Sequence, residues 1–142
     1  METNDPVGAA EVMAVLEAET RAFYAKDFDA FSACWAPEPY VRRGGWWERG
    51  GIAWLRGWET MADLARTQFA ANPEPNASPQ AVRRENLVVR VGADMAWVTF
   101  DQYSPDAGEP DMDMPGLSHE TRILERRGGA WVIVYMSYLL VG

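Results

Sequence analysis

The sequence contains a single histidine, His119, and its predicted partner Asp101 is the clearest candidate for chemistry. Histidine is the side chain whose unperturbed pKa lies nearest neutrality. Both residues lie in stretches that alternate like neighbouring strands. If these strands pair with Tyr103 opposite Leu117, Asp101 faces His119 directly, and Cβ atoms about 5 Å apart permit a carboxylate–imidazole hydrogen bond. We therefore predict that Asp101 and His119 act together as a general base and its orienting group.

A purely structural role for this pair is the alternative. An aspartate and a histidine on neighbouring strands can satisfy each other's polar atoms or face water without any reaction. The register is also decisive, because a slip of one residue places the two side chains on opposite faces of the sheet.

Aromatic residues supply the candidate ligand contacts. The chain has seven tryptophans in 142 residues, and aromatic rings line concave ligand sites as well as cores and interfaces. Trp46 and Trp47 are adjacent, so on a strand they point to opposite faces and at most one of them enters a given pocket. The predicted ligand-binding residues are Tyr24, Tyr40, Trp46, Trp47, Trp54 and Tyr103. Packing in the core or an interface is the alternative for each of them.

Composition narrows the function classes. The formal net charge is −8, and the sequence has no cluster of Lys and Arg of the kind that binds phosphates, so we expect neither a nucleic-acid nor a membrane partner. Cys34 is the only cysteine and can form no intrachain disulfide, which suits a reducing compartment, and we expect a cytoplasmic protein. The arginine pairs, such as Arg83-Arg84, are interpreted as solvated strand edges.

No cofactor or metal site is predicted. One histidine and one cysteine leave too few ligands for zinc, and no Gly-rich phosphate motif follows a strand. Residues 104–116 hold four acids but lack the spacing of a calcium loop, and they are interpreted as a solvated loop suited to a lid.

The elements that position these residues follow from hydrophobic period. Helices are predicted over 6–26, in a short segment after Asp27, and over 58–71. Strands are predicted over 40–43, 81–91, 95–103, 117–126 and 130–141. Helices followed by an antiparallel meander indicate one α+β domain over residues 1–142, with residues 1–8 flexible.

The last strand is apolar on both faces, unlike a strand with one solvated side. Its two predicted faces are Trp131, Ile133 and Tyr135, and Val132, Val134 and Met136. Helices and a pocket cover one face, and a second subunit is the simplest cover for the other. We therefore predict a homodimer through the sheet.

Three stretches, over residues 23–31, 57–61 and 120–134, resemble the NTF2-like superfamily, in particular its SnoaL-like and ketosteroid-isomerase-like branches. The first is similar to the family's long helix, a break at Asp27, and a short helix. The second, which begins at Gly57, resembles the family's glycine that opens the third helix. The third is similar to the penultimate strand, glycine turn and last strand. The resemblance spans about residues 10 to 140. It implies a cone-shaped fold in which about three helices pack on a curved antiparallel sheet around a pocket.

Ketosteroid isomerases use a carboxylate base after the second helix, and a tyrosine and a protonated acid as oxyanion donors. Counted from Asp27, the base position falls near Arg43 and the tyrosine position near Glu19, and neither residue type matches. A shift of a few residues would bring Glu38 or Glu48 to the base position. The resemblance therefore does not carry this catalytic set over.

Two functions remain open. The first is a pocket protein for a small apolar or aromatic molecule, either as a binder or as an enzyme of the isomerase, cyclase or dehydratase kind. The second is a noncatalytic module for dimerisation or ligand binding. The sequence does not decide between them.

Overall fold

A computed structural model describes residues 1–48, 50–75, 82–103 and 117–141. Within these ranges the chain forms a seven-stranded sheet that is covered on one side by helices. The predicted acidic loop over 104–116 lies outside the described residues. The helices are α1 (Pro6–Ala25), α2 (Phe28–Ala33) and α3 (Trp58–Ala71). The strands are β1 (Glu2–Thr3), β2 (Arg42–Trp47), β3 (Gly51–Arg56), β4 (Arg83–Val91), β5 (Met95–Tyr103), β6 (Leu117–Arg127) and β7 (Ala130–Val141).

The strand order is β1-β4-β5-β6-β7-β2-β3, so the sheet is open, with β1 and β3 at its edges. Strands β4 to β7 form the antiparallel meander that the sequence predicted. The sheet is nevertheless mixed, because β2 pairs with β7, and β1 with β4, in parallel. The sequence predicted neither β1 nor β3, since each is short and lacks a clear alternating pattern.

The helices begin where local capping allows. Asp5 precedes α1 and accepts a hydrogen bond from the backbone N–H of Gly8 at 3.0 Å. Asp27 caps α2 as predicted, with its carboxylate accepting from Ala30 N–H at 3.1 Å. Helix α1 buries Val12 and Leu16 against the sheet. No helix among the described residues is long and apolar enough to cross a membrane.

The sheet has two faces of different character. The inner face packs against the helices, and its buried residues on β5 and β6 include Val98, Phe100 and Leu124. The outer face carries the alternate residues, including Asp101 and His119. Because successive strand residues point to opposite sides, this alternation decides which side chains reach the interior.

One predicted face assignment is wrong. The register of β6 with β7 shifts between Ile123 and Leu124, so that Ile133 pairs with Leu124 and Tyr135 with Ile123. Val134 is the additional residue of this bulge. Ile133 therefore lies on the inner face, whereas Tyr135 lies on the outer face, because an extra residue inverts the alternation beyond it.

Replacing a fully buried inner-face residue tests this core. We expect Leu124→Ala to lower the free energy of unfolding by about 2–5 kcal/mol, because Leu124 is 0% exposed and truncation leaves a cavity. Leu64→Ala on the surface of α3 is the matched control and should cost much less. Urea unfolding followed by circular dichroism measures both, and equal losses would contradict the assignment.

Candidate functional site

Asp101 and His119 meet as the sequence predicted. Tyr103 pairs with Leu117, and Asp101 is therefore the cross-strand partner of His119. The imidazole Nδ1 lies 2.6 Å from the Asp101 Oδ1 atom. The His119 side chain is 53% exposed and that of Asp101 27%, so solvent and small molecules reach the ring.

A third residue, Asn86, completes this arrangement. Its amide Nδ2 donates to the other carboxylate oxygen of Asp101 at 2.8 Å. The register of β4 with β5 shifts between Glu85 and Val88, and Asn86 has a φ of 54° within this bulge. Asparagine tolerates that left-handed conformation better than most residues. The bulge turns the Asn86 side chain onto the outer face, which no pattern in the sequence indicated.

These hydrogen bonds shift the acidity of Asp101. The Asn86 amide, and then the His119 imidazole, hydrogen-bond to the carboxylate and lower the pKa of Asp101. Both donors favour the charged form of the acid. The arrangement is thus an Asn–Asp–His chain of hydrogen bonds, and its outer end is the Nε2 atom of His119.

Asn86, Asp101 and His119 line a shallow depression of about 230 Å³ on the outer face. Hydroxyls of Thr99, Thr121 and Ser137 share this depression, together with the apolar Leu139. Asp101 and His119 therefore face away from the helices rather than into the interior of the fold.

The interior holds a second polar group of residues that sequence reasoning missed. Glu120 and Arg122 form an ion pair with Nη2 and Oε1 2.9 Å apart, and each side chain is only 3% exposed. The guanidinium of Arg122 lies over the Phe100 ring, 5.3 Å from its centroid. The predicted register already placed Glu120 opposite Phe100, so the signal was two charged residues on the face that also carries Val98 and Phe100.

Arg84 also points inward, contrary to its interpretation as a solvated residue. Its Nη2 donates to Thr20 on α1 at 2.6 Å, and its Nε donates to Gln102 at 3.1 Å. The guanidinium lies 5.1 Å from the centroid of Phe100. Burial, and next the nearby charge of Arg122, lower the pKa of Arg84. Arg83 points outward, as alternation requires.

A cleft of about 380 Å³ between α1 and β4 reaches this arginine. Its walls combine three apolar side chains with four polar or charged ones, which include a glutamate and a second arginine. The lining residues are Met13, Glu17, Thr20, Arg21, Val82, Arg84 and Leu87. Arg84 is thus a half-buried cation that lines an open cleft.

The predicted aromatic contacts do not converge on one site. Tyr24 is buried on α1, whereas Tyr40 is exposed and donates to Glu125 at 2.5 Å. Trp46 and Trp54 lie exposed on the outer face, and Trp47 points to the opposite side from Trp46. Tyr103 lies on the outer face with the Arg83 guanidinium 4.2 Å from its ring centroid.

Neither the cysteine nor a group of metal-binding side chains offers a second candidate site among the described residues. Cys34 is buried, and desolvation, followed by the charge of Glu19, raises the pKa of its thiol to about 11. A thiol with so high a pKa is a poor nucleophile near neutrality. Within the part of the chain that the structure describes, no group of three His, Cys, Asp or Glu side chains could hold a metal ion.

Comparisons with known proteins agree on architecture. A family model described as a SnoaL-like domain matches residues 12–138. A cystatin-like fold protein from Burkholderia xenovorans LB400 is 22% identical, with a TM-score of 0.70 over 98% of this chain and 95% of that chain. An NTF2-like protein of unknown function from Pseudomonas putida KT2440 is 15% identical, with a TM-score of 0.70 over 95% and 87% of the two chains.

A third similar structure is an NTF-2 like protein of unknown function from Shewanella oneidensis MR-1. It is 12% identical, with a TM-score of 0.64 over 93% of this chain and 98% of that chain. A search of curated proteins found no match. At these identities the structural likenesses show the fold alone.

The Asn86 hydrogen bond can be tested through the acidity of Asp101. We expect Asn86→Gly to raise the pKa of Asp101 toward its usual value of about 3.9, because glycine keeps the backbone conformation but removes the amide donor. Carboxyl ¹³C NMR during an acid titration measures this pKa. The control is Asp63→Asn, a remote change on α3.

The same variant has a consequence for stability. Because folding lowers the pKa of Asp101, its contribution is present above the unfolded pKa and is lost as the pH falls through the folded pKa. Asn86→Gly should therefore weaken the acid-dependent part of stability. An unchanged pKa of Asp101 would contradict the hydrogen bond.

Proposed function

The chain belongs to the SnoaL-like domain family, and we propose that it binds a small organic molecule in the cleft between α1 and β4, with Arg84 as the anchoring residue. The ligand has a largely apolar or aromatic body and a carbonyl or carboxylate oxygen at one end. The observation that carries this proposal is the half-buried guanidinium of Arg84 in the lining of a cleft of about 380 Å³.

The chemistry of the cleft supports this ligand class. Met13, Val82 and Leu87 supply apolar contact area for a ring or a short chain. Arginine presents several N–H donors in a planar fork, which suits an oxygen acceptor. A hydrogen bond to a charged donor in a partly dry site is stronger than one in water.

The hydrogen bonds around Arg84 also support an anchoring role. Thr20 and Gln102 hold the guanidinium from α1 and β5, so its orientation is set before a ligand arrives. Such preorganisation lowers the entropic cost of binding. The guanidiniums of Arg84 and of Arg122, which belongs to the buried ion pair, both lie over the Phe100 ring, 5.1 and 5.3 Å from its centroid.

Arg84 and its sequence neighbour Arg83 give a matched pair of variants for testing this proposal. Benzoate, 3-phenylpropanoate and acetophenone serve as probes in a thermal-shift assay. A probe at about ten times its Kd stabilises the folded state by about 1.4 kcal/mol. For a chain of this length we expect a rise in Tm of about 3–6 °C. Arg84→Met should abolish that rise, because it removes the donors but keeps an apolar side chain of similar length.

Arg83→Met is the control, because Arg83 lies next to Arg84 in sequence but points outward. It should keep the full Tm rise. A panel that leaves the wild-type Tm unchanged, or an equal response from both variants, would overturn the assignment of this cleft.

A second function, homodimer formation, is favoured by the outer face. Trp46 and Trp54 are 44% and 43% exposed, and Ile52 and Leu139 are 80% and 56% exposed. Trp46 pairs with both Ile52 and Leu139 across neighbouring strands, so these four residues form one apolar patch. Contiguous exposed apolar surface of this kind is typical of an interface.

The charges around the apolar patch favour a second copy as the partner. Arg42 and Arg56 are cross-strand neighbours at the β2–β3 end of the outer face, whereas Glu125 and Asp101 lie on its β5–β6 part. A two-fold rotation can bring the arginines of one copy toward the acids of the other. The patch is centred on β2 and β3 and meets the Asp101–His119 depression at Leu139, which belongs to both.

A charge within the apolar patch should break the dimer. We expect the wild-type protein to elute as a dimer in light-scattering chromatography, and Ile52→Glu to elute as a monomer, because the carboxylate would be desolvated in the interface. Leu64→Glu on α3 is the control and should leave the dimer intact. A monomeric wild-type protein at micromolar concentration would contradict this second function.

A further inference from the structure

We propose that the depression at His119 is a second binding site, separate from the cleft at Arg84, for a neutral aromatic alcohol such as a phenol whose O–H donates to the Nε2 atom of His119. The site consists of Asn86, Asp101 and His119 with the hydroxyl-bearing floor formed by Thr99, Thr121 and Ser137. It lies on the outer face, whereas the cleft at Arg84 lies on the inner side of β4.

The Asn–Asp–His chain fixes which imidazole nitrogen accepts. Asp101 as a carboxylate has only acceptor oxygens, and Asn86 already donates to one of them. The Nδ1 atom at 2.6 Å from the other oxygen must therefore carry its proton. In the neutral ring the second nitrogen, Nε2, is then an acceptor.

The lining decides the class of ligand. Among the described residues that line the depression, none is an arginine or a lysine, and Asp101 is a carboxylate, so an anion is disfavoured. The free Nε2 atom requires a hydrogen-bond donor. Leu139 provides apolar contact for a ring, and about 230 Å³ suits a single-ring compound rather than a larger ligand.

Ser137 does not convert the site into a nucleophilic one. It is the cross-strand partner of Thr121 and not of His119, whose partner is Leu139. No hydrogen bond among the described residues joins Ser137 to His119, so the hydroxyl is not activated by the ring. Ser137 and the two threonines instead offer hydrogen bonds to the bound hydroxyl oxygen.

The bulge at Asn86 gives the site a sharp test in Asp101→Asn. Asn86 still donates to an oxygen, so the new carboxamide keeps its oxygen toward Asn86 and turns its NH₂ toward Nδ1. The Nδ1 atom then becomes the acceptor, and the proton moves to Nε2. The substitution preserves shape but inverts the tautomer, as in other Asp–His pairs.

Because His119 is the only histidine, ¹⁵N-histidine NMR reads this site without assignment. In mildly alkaline buffer, the wild-type Nε2 should resonate as an unprotonated, pyridine-type nitrogen. Phenol should shift this resonance saturably, whereas anisole, which has the same ring but no O–H, should not. In Asp101→Asn the protonated nitrogen should be Nε2, and the Kd for phenol should rise about tenfold through loss of one hydrogen bond.

Asp63→Asn makes the same chemical change at a remote position and should behave as the wild type. A wild-type protein with the proton on Nε2 would overturn the proposal, as would equal shifts with phenol and anisole, or no shift with phenol. These wild-type measurements decide the outcome even if Asp101→Asn fails to fold. None of them depends on Arg84, so failure here leaves the cleft proposal standing.

Discussion

The pairing of β5 with β6 is the constraint on which the other features of this molecule depend. Because each residue points opposite to its neighbour, one register sends Asp101 and His119 outward and sends Phe100 and Glu120 inward. The same short stretch of sheet therefore carries a solvent-facing polar pair on one side and a buried ion pair on the other. Sliding β6 by one residue would exchange them and bury the histidine.

Two bulges modify this regular pattern, and each has a local effect on chemistry. The bulge in β4 turns Asn86 toward Asp101, where it supplies the largest contribution that lowers the pKa of that carboxyl. The bulge at Val134 in β7 keeps Ile133 in the core while Tyr135 moves to the outer face beside Trp54, with ring centroids 6.2 Å apart. Bulges commonly redirect side chains near functional sites. Here one completes a polar chain, and the other enlarges the exposed aromatic surface.

Much of the fold could be predicted from sequence, because hydrophobic period is a local property. The bounds of α3, β5 and β7, the resemblance to SnoaL-like domains and the contact between Asp101 and His119 are confirmed. The inward side chain of Arg84 was missed, since adjacent arginines read as a solvated pair even though alternation separates them. The bulges were missed as well, because they depend on partner strands distant in sequence. The register predicted that Asp101 and His119 share one face of the sheet. Whether that face is the inner or the outer one depends on which side the helices cover, and the sequence did not show this.

The position of β7 has a consequence for how the chain acquires its structure. This strand lies between β6 and β2, and Arg42 to Trp46 pair with residues 135–139 almost at the other end of the chain. The β2–β3 hairpin thus has no sheet to join until residues 130–141 have left the ribosome. Until then its tryptophans lack their neighbouring strand, and such non-local pairing slows folding because loop closure precedes the stabilising contacts. During synthesis, β2 can therefore complete its pairing in the sheet only after the last strand has emerged.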